Sequence, residues 1–173
     1  MNIHELLNEF GDQNSHPNTL LAFLVWRVKP KYVLELGTGE GNGTRAMMQE
    51  LPRESKLVTI NWPNPPSGDE VGKVIRSYSA DRRLTQILGD TREVHDQIAP
   101  GIDFLYVDSG TDHVYSLVAE EWRLYEPKLA DETICCFDDI SVNDMPRFWD
   151  ELPYDKIKTP INGGFGIVHY KRG

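Results

Sequence analysis

Val33-Leu34-Glu35-Leu36-Gly37-Thr38-Gly39-Glu40-Gly41-Asn42-Gly43-Thr44 is the stretch that decides the fold of this 173-residue chain. Three apolar residues and one carboxylate run into glycines at alternate positions. The pattern predicts a buried strand, a tight turn, and a helix beginning near Gly43 or Thr44. Glycine admits backbone angles that other residues resist, and it lets a ligand approach the main chain. The leading N–H groups of the helix would face whatever sits on the turn. The stretch therefore reads as a cofactor-binding turn after the first strand of an α/β sheet; the plainer reading is a glycine turn with no ligand.

The spacing decides which cofactor fits. G-x-G-x-x-G, the dinucleotide fingerprint, fails from Gly37 because Asn42 holds its sixth position, and fails from Gly39 because Thr44 does. A phosphate-binding loop would end in Gly-Lys-Ser/Thr, whereas this turn continues Gly43-Thr44-Arg45. Glu35-Leu36-Gly37-Thr38-Gly39-Glu40-Gly41 instead resembles motif I of the class I S-adenosylmethionine-dependent methyltransferases. The resemblance implies that Glu35, Gly37, Thr38, Gly39 and Gly41 adjoin the methionine part of S-adenosylmethionine. A carboxylate suits a ligand that carries an ammonium and a sulfonium, and would repel a pyrophosphate.

Outside the motif, length fits one domain by the rough prior of about 100–200 residues each. Residues 1–30 read as N-terminal helices and 31–173 as a Rossmann-like core. A net charge of −9 argues against a nucleic-acid partner gripped through phosphates. No apolar run is long enough for a membrane span, and no signal peptide is read at the start, so a cytoplasmic location is expected. Cys135 and Cys136 are adjacent in an apolar run, read as small buried residues facing opposite sides of a sheet.

Apolar spacing predicts helices around Ile3–Phe10 and over Pro17–Val28, Thr44–Leu51, Val71–Ser79, Thr91–Ile98, Val114–Leu124 and Met145–Leu152. It predicts strands over Tyr32–Leu36, Lys56–Ile60, Thr85–Leu88, Ile102–Val107 and Thr133–Phe137. Lys156–Lys158 and Phe165–Tyr170 close the chain around Gly163-Gly164. Alternation of this kind predicts a seven-stranded, mostly parallel, doubly wound sheet with helices on both faces and ligands beyond the carboxyl ends of the strands. The terminal strands look like the antiparallel hairpin that marks methyltransferases among such folds.

The strand ends supply the remaining candidates. Strand two ends at Asn61, where the family usually places a carboxylate for the ribose hydroxyls; an amide accepts only through its carbonyl oxygen. Trp62 would stack on the adenine or cover the core. Gly89-Asp90 ends strand three, and Asp90 would hydrogen-bond the adenine amino group or cap the next helix. Asp108 ends strand four as a candidate for both the cofactor and a metal, and Asp112-His113 follows in the next loop with Tyr115 after it. This segment resembles a subgroup of small-molecule O-methyltransferases, closest to those acting on sugars and natural products, with a loop about two residues longer than usual. Strand five ends in Asp138-Asp139. Asp108, Asp138 and Asp139 thus fall at neighbouring strand ends, where like charges oppose ionisation. A divalent cation such as Mg²⁺ would relieve that repulsion, as the metal-dependent subgroup implies; the alternative is a set of solvated, capping aspartates.

These residues predict methyl transfer from S-adenosylmethionine to a small-molecule hydroxyl, with Mg²⁺ as a candidate aid and Asp112 or His113 as the base. An N-cap role is the plainer reading of that pair. A methyltransferase-like binding protein and a nicotinamide oxidoreductase are the alternatives. With only about thirty residues before strand one, the acceptor site would lie open or be covered by a second subunit. Phe148, Trp149 and the N-terminal helices would form a homodimer interface or cover the core.

Overall fold

The computed structural model describes residues 2–11, 15–64, 68, 70–110, 114–161 and 163–173. Two helices come first, α1 (Ile3–Phe10) and α2 (Pro17–Val28). Asn2 caps α1 by accepting from the His4 N–H at 2.9 Å, and Pro17 opens α2 at a position where its missing N–H costs nothing. The chain then alternates through β1 (Tyr32–Leu36), α3 (Asn42–Glu50), β2 (Lys56–Asn61), β3 (Leu84–Leu88), β4 (Ile102–Val107) and α4 (Tyr115–Tyr125). It ends with β5 (Leu129–Phe137), α5 (Met145–Glu151), β6 (Asp155–Thr159) and β7 (Phe165–Lys171).

The strands form one sheet in the order β3-β2-β1-β4-β5-β7-β6. Pairing is parallel from β3 across to β5, and β7 runs antiparallel to both β5 and β6. The order reverses at β1, which lies between β2 and β4; in sheets of this kind ligands bind at such a switch point, beyond the carboxyl ends of the strands. Side chains alternate across the sheet. Leu34, Leu36, Leu105, Cys135 and Phe137 pack with α4 and α5 on one face. Val33, Phe104, Ile134 and Cys136 pack with α1, α2 and α3 on the other. The two cysteines therefore fill opposite halves of the core, as their adjacency in a strand requires.

Several boundaries differ from expectation for identifiable reasons. No α-helix spans Thr91–Ile98; a turn and a short 3-10 segment, His95–Gln97, replace it. Val94 and Ile98 are the buried positions, and one turn brings both to the core. Val71–Ser79 contains a 3-10 segment, Lys73–Tyr78, rather than an α-helix. Here the Gly72 and Val74 N–H groups donate to the Gly39 and Glu40 carbonyls, both at 2.9 Å, instead of to a helical ladder. Strand β5 starts four residues before its expected first residue, Thr133, and a register shift against Ile102 and Phe104 absorbs exposed Asp131 and Glu132. Phe148 and Trp149 are 3% and 8% exposed, which makes them core cover. Among the described residues, no helix is long and apolar enough to cross a membrane.

Candidate functional site

The glycine turn connects β1 to α3 at the point where the sheet order reverses. Gly37 has φ 95°, and a Cβ there would collide with the Asp108 carbonyl oxygen, so the β1 and β4 ends pack backbone to backbone. The Gly37 and Thr38 N–H groups donate to the Ile60 carbonyl at 2.9 and 3.2 Å, which ties the turn to β2. Gly39 has φ 51° and nothing within 4 Å of its Cβ position. One side of the turn is thus locked against the sheet and the other is open. Helix α3 begins with Gly41 as its N-cap and receives no side-chain capping bond there.

Glu35 and Thr38 lie beneath this turn. Glu35 is 1% exposed, and its Oε2 accepts from the Thr44 hydroxyl and, at 2.6 Å, from the Thr59 hydroxyl. Thr38 and Thr59 share a 2.6 Å contact; because Thr59 donates to Glu35, Thr38 donates to Thr59. A relay of three hydroxyls and one carboxyl thus anchors the turn and the first turn of α3 to β2. Burial pushes the Glu35 carboxyl up to about 7, with the two hydroxyl bonds opposing the shift.

At the end of β2, Asn61 accepts from the Gly39 N–H at 3.1 Å and donates to the Trp62 carbonyl at 2.8 Å. The amide therefore braces the glycine turn from the side. Trp62 is 50% exposed, so it does not cover the core. Asn61 pairs in register with Leu88, itself 57% exposed, at the end of β3. Two large apolar side chains are thus open to solvent at neighbouring strand ends, beside Gly89 and Asp90.

Asp90 caps no α-helix. Its Oδ1 accepts from the Arg92 N–H and Nε, both at 2.9 Å, and its Oδ2 accepts from Arg92 Nη2 at 2.6 Å. The Arg92 fork holds the Asp90 carboxyl below the usual carboxylate range. Across the loop, Glu121 of α4 is fully buried. Its Oε1 accepts from the Thr91 hydroxyl at 2.5 Å and its Oε2 from the Ser109 hydroxyl. Burial raises the Glu121 carboxyl to about 7.

The end of β4 carries the acidic group. The Tyr106 hydroxyl lies 3.1 Å from Asp108 Oδ2 and 3.5 Å from Asp138 Oδ2, and so bridges the two carboxylates. Burial first, then the charges of Asp138 and Glu35, push the Asp108 carboxyl well above its ordinary value. Burial first, then the charges of Asp108, Asp138 and Glu35, raise the Tyr106 phenol well above its ordinary value, so it stays a donor. Asp139 sits in the left-handed region at φ 52°, with Oδ1 pressed against the Gly163 backbone. The structure thus brings Asp108 and Asp138 together and turns Asp139 toward the β6–β7 connection. Among the described residues, no three His, Cys, Asp or Glu side chains are grouped to hold a metal ion. Asp112 and His113 lie outside the described residues.

A methyltransferase-domain family model matches residues 34–140, from β1 through the end of β5. The chain belongs to this methyltransferase family. The resemblance to class I methyltransferases is borne out in family and in fold. A Geobacter sulfurreducens methyltransferase structure superposes with a TM-score of 0.73 at 15% identity, covering 96% of this chain and 85% of that one. The tomaymycin-synthesis O-methyltransferase of Streptomyces achromogenes, solved with S-adenosylmethionine, gives 0.71 at 19% identity over 97% and 87% of the two chains. A Bacillus cereus O-methyltransferase gives 0.66 at 16% identity over 97% and 90%.

For this methyltransferase, sequence reasoning missed four residues near the candidate site. Tyr106 and Leu88 lie within predicted strands, where apolar alternation hides a hydroxyl or an exposed end. Arg92 lies two residues beyond a candidate aspartate, and this spacing for a fork was the one signal available. Glu121 lies mid-helix, and nothing local to it points to Thr91 or Ser109.

Proposed function

We propose that the chain binds S-adenosylmethionine across the carboxyl ends of β1, β2 and β3 and transfers its methyl group to a hydroxyl of a small molecule. The observation that carries this reading is the open side of Gly39, on a turn otherwise locked to the sheet, inside a methyltransferase domain. A Cβ at Gly39 would occupy the space a ligand needs. The cofactor supplies an electrophilic methyl on a sulfonium.

The chain's own residues do the rest. Gly37, Gly39 and Gly41 form the cradle, with Glu35 and Thr38 holding it from below. Asn61 keeps one carbonyl lone pair and one amide N–H beyond its two internal bonds, enough for a ribose hydroxyl. Trp62 and Leu88 supply apolar surface for a purine, beside Gly89 and the Asp90 carboxylate. Holding an acceptor oxygen in line with the methyl carbon supplies several kcal/mol of the barrier reduction by placement alone. Asp112 or His113 takes the acceptor proton. The oxygen donors of Asp108 and Asp138 suit Mg²⁺, which uses one or two carboxylates and would stabilise the deprotonated hydroxyl as a Lewis acid. Asp139, whose charge also acts on Asp108, packs against the Gly163 turn.

Calorimetric titration with S-adenosylmethionine and S-adenosylhomocysteine, with and without Mg²⁺, tests the reading. Micromolar binding is expected, with a Mg²⁺-dependent heat that Asp138→Ala abolishes. Absence of binding by either ligand would overturn it in favour of a methyltransferase-like scaffold with another role. Turnover of Asp112→Ala and His113→Ala, once an acceptor is found, separates the two base candidates.

A further inference from the structure

Thr91 and Ser109 each immediately follow a strand-end aspartate, Asp90 after β3 and Asp108 after β4. Both hydroxyls donate to one side chain, the fully buried Glu121, and each takes a different oxygen. One turn further along α4, the Tyr125 hydroxyl donates to the Thr91 carbonyl at 2.6 Å. Thr91 is thus gripped through its side chain and its main chain by a single helix. Outside this buried contact, Arg92 reaches Glu120 at 3.4 Å while it clasps Asp90.

A buried carboxyl is a costly way to fill a helix face, and Val118 and Tyr125 already supply apolar contacts there. What an apolar residue at position 121 would not supply is two acceptors aimed at two different loops. Resting on the cofactor reading above, we propose that Glu121 is a positioning residue that locks the Asp90 turn to the Asp108 loop and so fixes the Asp90 carboxylate beside the nucleoside half of the cofactor. It touches neither cofactor nor acceptor.

Titration of the full chain with S-adenosylhomocysteine and with adenosine alone tests this, alongside thermal unfolding. Glu121→Ala and the isosteric Thr91→Val are expected to raise both dissociation constants roughly three- to tenfold, the range for losing one or two internal hydrogen bonds. Glu121→Gln, whose amide can accept from one hydroxyl and donate to the other, is expected to stay within about twofold of the parent. Thr133→Val removes a buried hydroxyl bond to the Ile102 carbonyl, at the opposite end of β4, and is expected to lower Tm without moving either constant. Parent-like binding by Thr91→Val, or equal weakening by Thr133→Val, would overturn the proposal while leaving the cofactor reading intact. Thr91→Val decides the matter if Glu121→Ala does not fold. A parent chain that binds neither ligand would overturn both.

Discussion

Glu35 lies on one face of the sheet and Glu121 packs against the other. Both are buried, both accept from two hydroxyls, and burial raises both to about 7. They differ in how the hydroxyls are distributed. Thr44 and Thr59 converge on a single oxygen of Glu35, which binds α3 and β2 to the floor of one turn. Thr91 and Ser109 take separate oxygens of Glu121, which spans two loops. The first arrangement stiffens a loop; the second sets the distance between loops. A buried carboxyl can thus serve a site from beneath or from behind without facing the ligand.

The largest expected effect lies on the Glu35 side. Gly37→Ala forces a Cβ into the Asp108 carbonyl at a positive φ, and a loss of about 4 kcal/mol or more is expected in chemical denaturation. Gly101→Ala also has a positive φ but meets nothing within 4 Å, and should cost about 1–2 kcal/mol. Equal losses for the two would show that backbone contact between β1 and β4 does not set the turn.

Next comes the pH dependence shared by the two glutamates. Each carboxyl has a folded value near 7 against 4.5 unfolded, so the folded chain holds a proton that the unfolded chain has released. That stabilisation is fully present below pH 4.5 and is lost as pH rises through 7, by about 3 kcal/mol for each group at 1.36 kcal/mol per unit. Glu35→Gln and Glu121→Gln should each flatten the stability curve between pH 4.5 and 7 by a similar amount. A variant curve parallel to the parent's would remove that glutamate from the comparison.

Smaller effects separate ligand contact from support. Trp62→Ala should leave Tm within about 1 °C, because an exposed side chain contributes little to folding. It should weaken S-adenosylhomocysteine binding about tenfold through lost stacking. Unchanged affinity would move the purine elsewhere. Arg92→Ala is expected to cost only about 0.5–1 kcal/mol, since the Arg92 side chain is 41% exposed and solvent screens its pairs with Asp90 and Glu120. A larger loss in urea denaturation would mean that the fork, rather than Glu121, holds the Asp90 turn.

Sequence alone determined the strand, glycine turn and helix, because alternate glycines after a short apolar run leave few other backbone paths. It also determined the opposed packing of Cys135 and Cys136, which follows from the two-residue period of a strand. The helix expected over Thr91–Ile98 was not legible as a turn, because Val94 and Ile98 fit the spacing of either. Only the tertiary structure decided that Asn61 braces Gly39, that Tyr106 bridges Asp108 to Asp138 while Asp139 packs against the Gly163 turn, and that Glu121 reaches Thr91 and Ser109. Apart from the local Tyr106–Asp108 contact, those contacts join residues between 12 and 32 positions apart in the chain. Local spacing fixes which backbone forms; long-range hydrogen bonds depend on which elements the sheet order places side by side.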